Sequence, residues 1–215
     1  MSSLLSPGPP NKPLPRRLRT AALLAMVLGA WVGVFGAMEA MASAQVNRQT
    51  PPSATFFGPQ TEVFEKVFRS YERALAPGRP FRVLVLFCLA TACAMVTVSA
   101  ARLLWPRGIP REAMRRVLST SALAAAVCRT LEGAHSAAAA RRMGVEMADL
   151  LAQNMGAPSD PAELVRYKAA VPSMFVASNV GLTLLMAGMF VMLGQYFRSS
   201  RVRAQMAELA ADEAR

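Results

Sequence analysis

The chain has little charge. Asp, Glu, Lys and Arg make up only 17% of its 215 residues, where a soluble domain carries about 25%. The shortage is concentrated: residues 20–38, 83–101 and 169–197 contain none of the four. Apolar runs longer than about 18 residues are the length of a membrane-spanning helix. A simple soluble domain is therefore excluded, and so is a disordered chain, which is poor in apolar residues and rich in charge. Histidine occurs once, as His135, and cysteine three times, as Cys88, Cys93 and Cys128, with no CxxC spacing. These numbers exclude a disulfide framework and a zinc set, and the cysteines read as small buried residues. Lysine is scarce too: only Lys12, Lys66 and Lys168 among 24 basic residues, which leaves 21 arginines. With its many alanines, this composition points to a GC-rich bacterial genome. No phosphate-binding glycine loop is present. Ser99 and Ser136 lie in no nucleophile motif. No cofactor is expected, and a membrane enzyme ranks last among the readings considered.

What the chain does have is basic charge, with a formal net charge of +11. The arginines cluster beside the apolar runs: Arg16, Arg17 and Arg19; Arg107, Arg111, Arg115 and Arg116; Arg198, Arg201 and Arg203. Cytoplasmic loops and anionic headgroups use basic residues in this way. The expected partner is the lipid bilayer, not nucleic acid.

The organisation follows from the runs. Residues 1–19 carry Pro7, Pro9, Pro10, Pro13 and Pro15 and read as a disordered, Pro-rich basic tail. The first span is expected at 20–41. A cleaved secretory signal is the competing reading, since Ala42-Ser43-Ala44 resembles a cleavage site. The apolar run is long for a signal, and Ala25, Gly29, Gly33 and Ala37 place a small residue at every fourth position, a helix-packing pattern. A retained helix is therefore expected. An amphipathic helix is expected at 61–76, with Val63, Phe64, Val67, Phe68, Tyr71 and Leu75 on one face, stopped by Pro77-Gly78. The second span is placed at 82–105, ending on Trp105-Pro106. The last span is placed at 173–197, with Ala177, Gly181 and Gly188 as its packing face. Between them, a helix at 143–155 and one starting at Asp160-Pro161-Ala162-Glu163 are expected; that tetrapeptide has the residues of a capping box. Residues 198–215 read as a charged helical tail.

Residues 117–140 are the difficult segment. They are long enough to cross, but carry Arg129, Glu132 and His135, and a central arginine costs about 2.5–3.5 kcal/mol to insert. Val117, Leu118, Leu123, Val127 and Leu131 do not gather on one narrow face, as they would on a surface helix. The segment is therefore expected to cross. The fold expected is all-α, a polytopic bundle of four transmembrane helices (20–41, 82–105, 117–140 and 173–197), with both termini inside and short amphipathic helices outside the bilayer. Basic residues beside the last span, which favour the inside, decide for four spans over three.

Arg129, Glu132 and His135 form the candidate intramembrane polar cluster, because ionisable groups in a bilayer are costly and are retained for function. Glu132 is expected to pair with Arg129, and His135 can reach Glu132 one turn on. Two functions follow. The first is a non-catalytic interaction or assembly protein of a bacterial inner membrane, associating with itself or with another membrane protein. The second is a small transporter or channel subunit that uses a Glu/His relay. They differ in whether Glu132 and His135 border a water-filled cavity.

Overall fold

The computed structural model describes residues 14–45, 69–70, 72–105, 110–154 and 160–213. They form helices α1 (Arg16–Gln45), α2 (Arg79–Leu104), α3 (Arg111–Asn154), α4 (Pro161–Arg198) and α5 (Ser200–Glu213), with no strand among the described residues. The protein is all-α in these residues. Three of the helices, α1, α2 and α4, are long and apolar enough to cross a membrane; α3 is not one of them.

Several boundaries differ from those expected. Helix α1 begins at Arg16, so the basic cluster forms its first turns and does not belong to the tail; residues 1–13 of that tail lie outside the described residues. Most of the amphipathic segment 61–76 lies outside them too, although residues 72–75 are helical. The two helices expected between 117 and 155 are one 44-residue helix. No proline occurs between Pro110 and Pro158, so nothing in the chain forces a break. The helix beginning after Asp160 and the last span are also continuous, with Pro172 inside α4. Proline lacks the N–H that would bond the carbonyl four residues back, which weakens one turn without ending the helix. The expected cap is present, with the Ala162 N–H donating to Asp160 Oδ1 at 2.9 Å.

The helices contribute to two compact units. The first takes its described residues from Met1–Phe35, Leu89–Ala126 and Gly188–Arg215. There, α1 buries Leu18, Ala22, Ala25, Gly29 and Val32, and α2 buries Leu89, Cys93, Val96, Ala100 and Leu103. Both sets alternate steps of four and three, the spacing that keeps one stripe facing a neighbouring helix. The helices run antiparallel and close together. A Cβ on Gly29 would lie 2.7 Å from Thr97 Oγ1 and 3.0 Å from the Cys93 carbonyl oxygen, and one on Gly33 would lie 3.0 Å from Cys93 Cβ. Helices α3 and α4 also meet in this unit. A Cβ on Gly194 would lie 2.8 Å from Leu123 Cγ, and the Ser119 hydroxyl donates to the Gly194 carbonyl at 2.9 Å. Phe190, Phe197 and, from α5, Val202 and Met206 are buried.

The second unit comprises Gly36–Cys88 and Val127–Ala187. Here α3 and α4 are again antiparallel. A Cβ on Gly133 would lie 2.7 Å from Thr183 Cβ, and one on Gly144 would lie 2.6 Å from Pro172 Cα. Lys168 pairs with Asp149 at 2.7 Å. Between apolar helices in lipid the attraction comes from packing and hydrogen bonds, so glycines that admit a neighbouring backbone matter more than bulk.

Between 117 and 140 the outer face of α3 carries no charge, and its buried face is not built of large apolar residues. Its buried positions between 117 and 140 are small or polar, apart from Leu118: Ser119, Ala122, Ala125, Ala126, Glu132, Gly133 and Ala139. Its exposed positions between 117 and 140 are Thr120, Ala124, Val127, Thr130, Leu131, Ala134 and Ala138, all uncharged. The stripe exists, but it is not written in large apolar residues.

Candidate functional site: a buried ion-pair cluster

The polar residues of α3 meet a second set at the ends of α1 and α2, all within the second unit. Glu39 directly follows the charge-free run 20–38, and Arg82 directly precedes the run 83–101. They form an ion pair, Arg82 donating to the Glu39 carboxylate, and Arg82 also donates to Ser43 Oγ at 3.2 Å. The Arg82 side chain is 3% exposed, as is that of Glu132, and the two lie 3.7 Å apart. Arg129 donates to the other oxygen of the Glu132 carboxylate, and Ser136 donates to the first. The result is a chain of alternating charge, Glu39–Arg82–Glu132–Arg129, that ties α1, α2 and α3 together. Two carboxylates balance two guanidinium groups, as buried charges require: an ionised group out of water is tolerated when it is paired and hydrogen-bonded.

The expected Arg129–Glu132 pair is thus present, one turn apart on α3. His135 is placed differently. The hydroxyl of Ser136, four residues on from Glu132, occupies the position next to the carboxylate, and His135 packs against the turn that precedes α2. Gly78 in that turn has φ of 79°, the left-handed region that favours glycine. A Cβ there would also lie 2.9 Å from His135 Cε1. His135 Nε2 is buried without a hydrogen-bond partner among the described residues.

A cavity of about 310 Å³ opens beside the cluster, with Glu39, Arg82, Arg129, Glu132, Ser136 and Asn179 among its lining residues. His135 is not in its wall. The Asn179 Oδ1 atom is buried there and has no donor among the described residues. No group of three or more His, Cys, Asp or Glu side chains among the described residues could hold a metal ion.

Arg82 and its pairing with Glu39 are what reading the sequence missed. The signal was available: an arginine directly before one apolar run and a glutamate directly after another, facing each other once the two helices fold back as a hairpin. The packing glycines divide in two. Ala25 and Gly29 lie on the buried stripe of α1, whereas Gly33 and Ala37 are half-buried at its edge. Steps of four rotate a row about 40° each time around a helix of 3.6 residues per turn, so the every-fourth row drifts to the edge of the contact, where Gly33 still meets Cys93, while steps of four and three stay at its centre. On α4, Ala177 and Gly181 are exposed, and a Cβ on Gly181 or Gly188 would meet nothing within 4 Å. Helix α4 packs through Thr183, Ala187, Phe190, Gly194 and Phe197 instead, so among the glycines of α4 the close approach within this chain is at Gly194 and not at Gly181 or Gly188.

Comparison with protein-family models, with curated proteins and with solved structures finds no match to this chain.

Proposed function

We propose that the chain is a four-span protein of a bacterial inner membrane, with both termini inside, whose role is non-catalytic interaction or assembly. The fourth crossing, residues 117–140, is supported by the uncharged outer face of α3. Arg129, Glu132 and His135 lie inward or at the flank and only uncharged side chains face out, as a helix surrounded by lipid requires. Within each unit it also runs beside α4, meeting Gly194 in the first and Thr183 and Pro172 in the second. A helix paired side by side with a span shares its depth.

The interaction role rests on α4. Only 17% of its apolar window is buried, against 33% for α1 and 39% for α2, and the small residues Ala177 and Gly181 are on the open side. Small residues on an uncovered membrane helix admit close approach by another helix. The polar cluster then serves as a clamp: Glu132 is held by two arginines and a serine, which leaves no free carboxylate to relay protons. The test is cysteine crosslinking in native membranes with Ala177→Cys, in a background where the three native cysteines are serine. A crosslinked adduct with a second copy or another membrane protein, weakened by Gly181→Leu, is expected. A chain that stays uncrosslinked and monomeric in mild detergent refutes the interaction role. A reporter fused after Asn154 should read periplasmic; a cytoplasmic reading defeats the four-span topology.

The cavity beside Glu132 favours a second reading, a small transporter or channel subunit. Its test is labelling of Ser178→Cys, in the cavity wall, by a membrane-impermeant thiol reagent applied to each side in turn. Labelling from both sides supports transport, and labelling from one side or neither opposes it.

A further inference from the structure

A second cavity lies in the first unit, where α4 passes into α5, and it differs in charge from the first. Its volume is about 480 Å³, and its wall includes Arg115, Arg116, Arg198, Arg203, Thr120 and Leu123. One carboxylate, Glu112, adjoins it. Arg115, with its side chain 4% exposed, donates to both oxygens of Glu112 at 2.6 and 2.7 Å and to the Phe197 carbonyl. That last bond places a cation at the carbonyl end of α4's apolar run, where the helix dipole favours it. Arg116 Nε lies 3.0 Å from the same carboxylate. Glu112 is thereby fully engaged, and the Arg115 guanidinium holds its carboxyl at about 2 despite the opposing effect of burial.

Arg198 and Arg203 have no carboxylate partner among the described residues. Four guanidinium groups thus face one cavity against one carboxylate, an excess of three positive charges. Like charges gathered around one cavity repel, and they are stable together where an anion joins them. The forked geometry of guanidinium suits phosphate oxygens. The position is also informative: Arg198 directly follows the charge-free run 169–197, and Leu123 gives the cavity an apolar wall. Basic pockets between helices at the membrane boundary are where phosphate headgroups bind.

We propose that this cavity is a binding site for a phosphate-bearing anion, with Arg198 and Arg203 as its free ligands and Arg115 and Arg116, oriented by Glu112, completing it. The chemistry is shared by an anionic phospholipid headgroup and by free phosphate, and the experiment separates them. It does not depend on which reading of the Glu132 cluster holds.

The test measures the thermal midpoint and binding affinity of the full-length protein in neutral detergent. One arm adds phosphatidylglycerol, a second adds phosphatidylcholine, and a third adds inorganic phosphate. Stabilisation by phosphatidylglycerol but not by phosphatidylcholine or phosphate assigns a lipid headgroup. Stabilisation by inorganic phosphate alone assigns a free anion. Either outcome supports the site. In both cases Arg198→Gln/Arg203→Gln should weaken binding by at least about tenfold, since hydrogen bonds to charged groups are among the strong ones. Both arginines are exposed, so folding should persist, with helical content as the check. Thr120→Glu, which adds a carboxylate to the exposed rim, should weaken binding comparably. The control is Arg141→Gln/Arg142→Gln, which removes the same charge from exposed positions outside the cavity and should bind as the parent does. No response to phosphatidylglycerol or phosphate overturns the proposal. Equal losses in the cavity and control variants overturn it too, because they would reduce the effect to net charge.

Discussion

Replacing Glu132 with glutamine keeps the shape of the side chain and removes one charge from between two guanidinium groups. At 3.7 Å the gross attraction of Arg82 to Glu132 is about 4.5 kcal/mol with an effective dielectric constant of 20. Desolvation of both groups offsets much of this, yet removing one partner leaves the other charge stranded, which costs about 3–5 kcal/mol for a fully buried pair. Two features reduce the figure here. Arg82 keeps Glu39 as a partner, and Arg129 is 18% exposed and can turn toward solvent or headgroups. The expected loss is therefore about 2–3 kcal/mol. Glu132→Gln combined with Arg129→Gln strands no charge, because the Glu39–Arg82 pair remains. The double variant should be less destabilised than Glu132→Gln alone, with a coupling of at least about 1 kcal/mol. Glu39→Gln, at a carboxylate 39% exposed, should cost about 1 kcal/mol or less. The assay is unfolding by SDS in mixed micelles, followed by helical ellipticity, on the parent, both single variants and the double. Additivity within about 0.5 kcal/mol would refute the reasoning, since it would mean that Arg129 and Glu132 act independently.

Two further expectations concern packing and pH. Gly194→Leu, which forces a side chain into Leu123 and the Ser119 carbonyl, should destabilise the fold by about 2 kcal/mol or more. Gly181→Leu, facing open space, should change the same midpoint by less than about 0.5 kcal/mol while weakening association; equal effects on stability would contradict the packing described. Glu112 has a carboxyl lowered from 4.5 to about 2, a depressed folded-state value. Its stabilising effect is therefore complete above about pH 4.5 and lost as pH falls from there through about 2. The unfolding midpoint should decline across that window, less steeply in Glu112→Gln. Identical profiles for the two proteins would dismiss the Glu112–Arg115 link.

The sequence alone settled the apolar helices and the class of structure, because a charge-free run of this length has one low-energy form in lipid: a helix with its backbone bonded internally. It also settled the Arg129–Glu132 pair, a contact one turn apart on a single helix. Everything that depends on which helix faces which was decided in three dimensions. Arg82 and Glu39 are 43 residues apart and acquire a role only when the hairpin of α1 and α2 closes. His135 is drawn to Gly78, and Ser136 takes the place beside Glu132, a choice between neighbouring rotational positions that spacing does not make. Small residues were legible as a pattern, but a glycine in a row is the same residue whether a neighbour covers it or not. Gly29 and Gly194 receive a backbone or side chain at close approach and Gly181 receives nothing. The reason is that local periodicity fixes only the angle of a side chain around its own helix; the partner that fills that angle is set by packing between segments far apart in the chain.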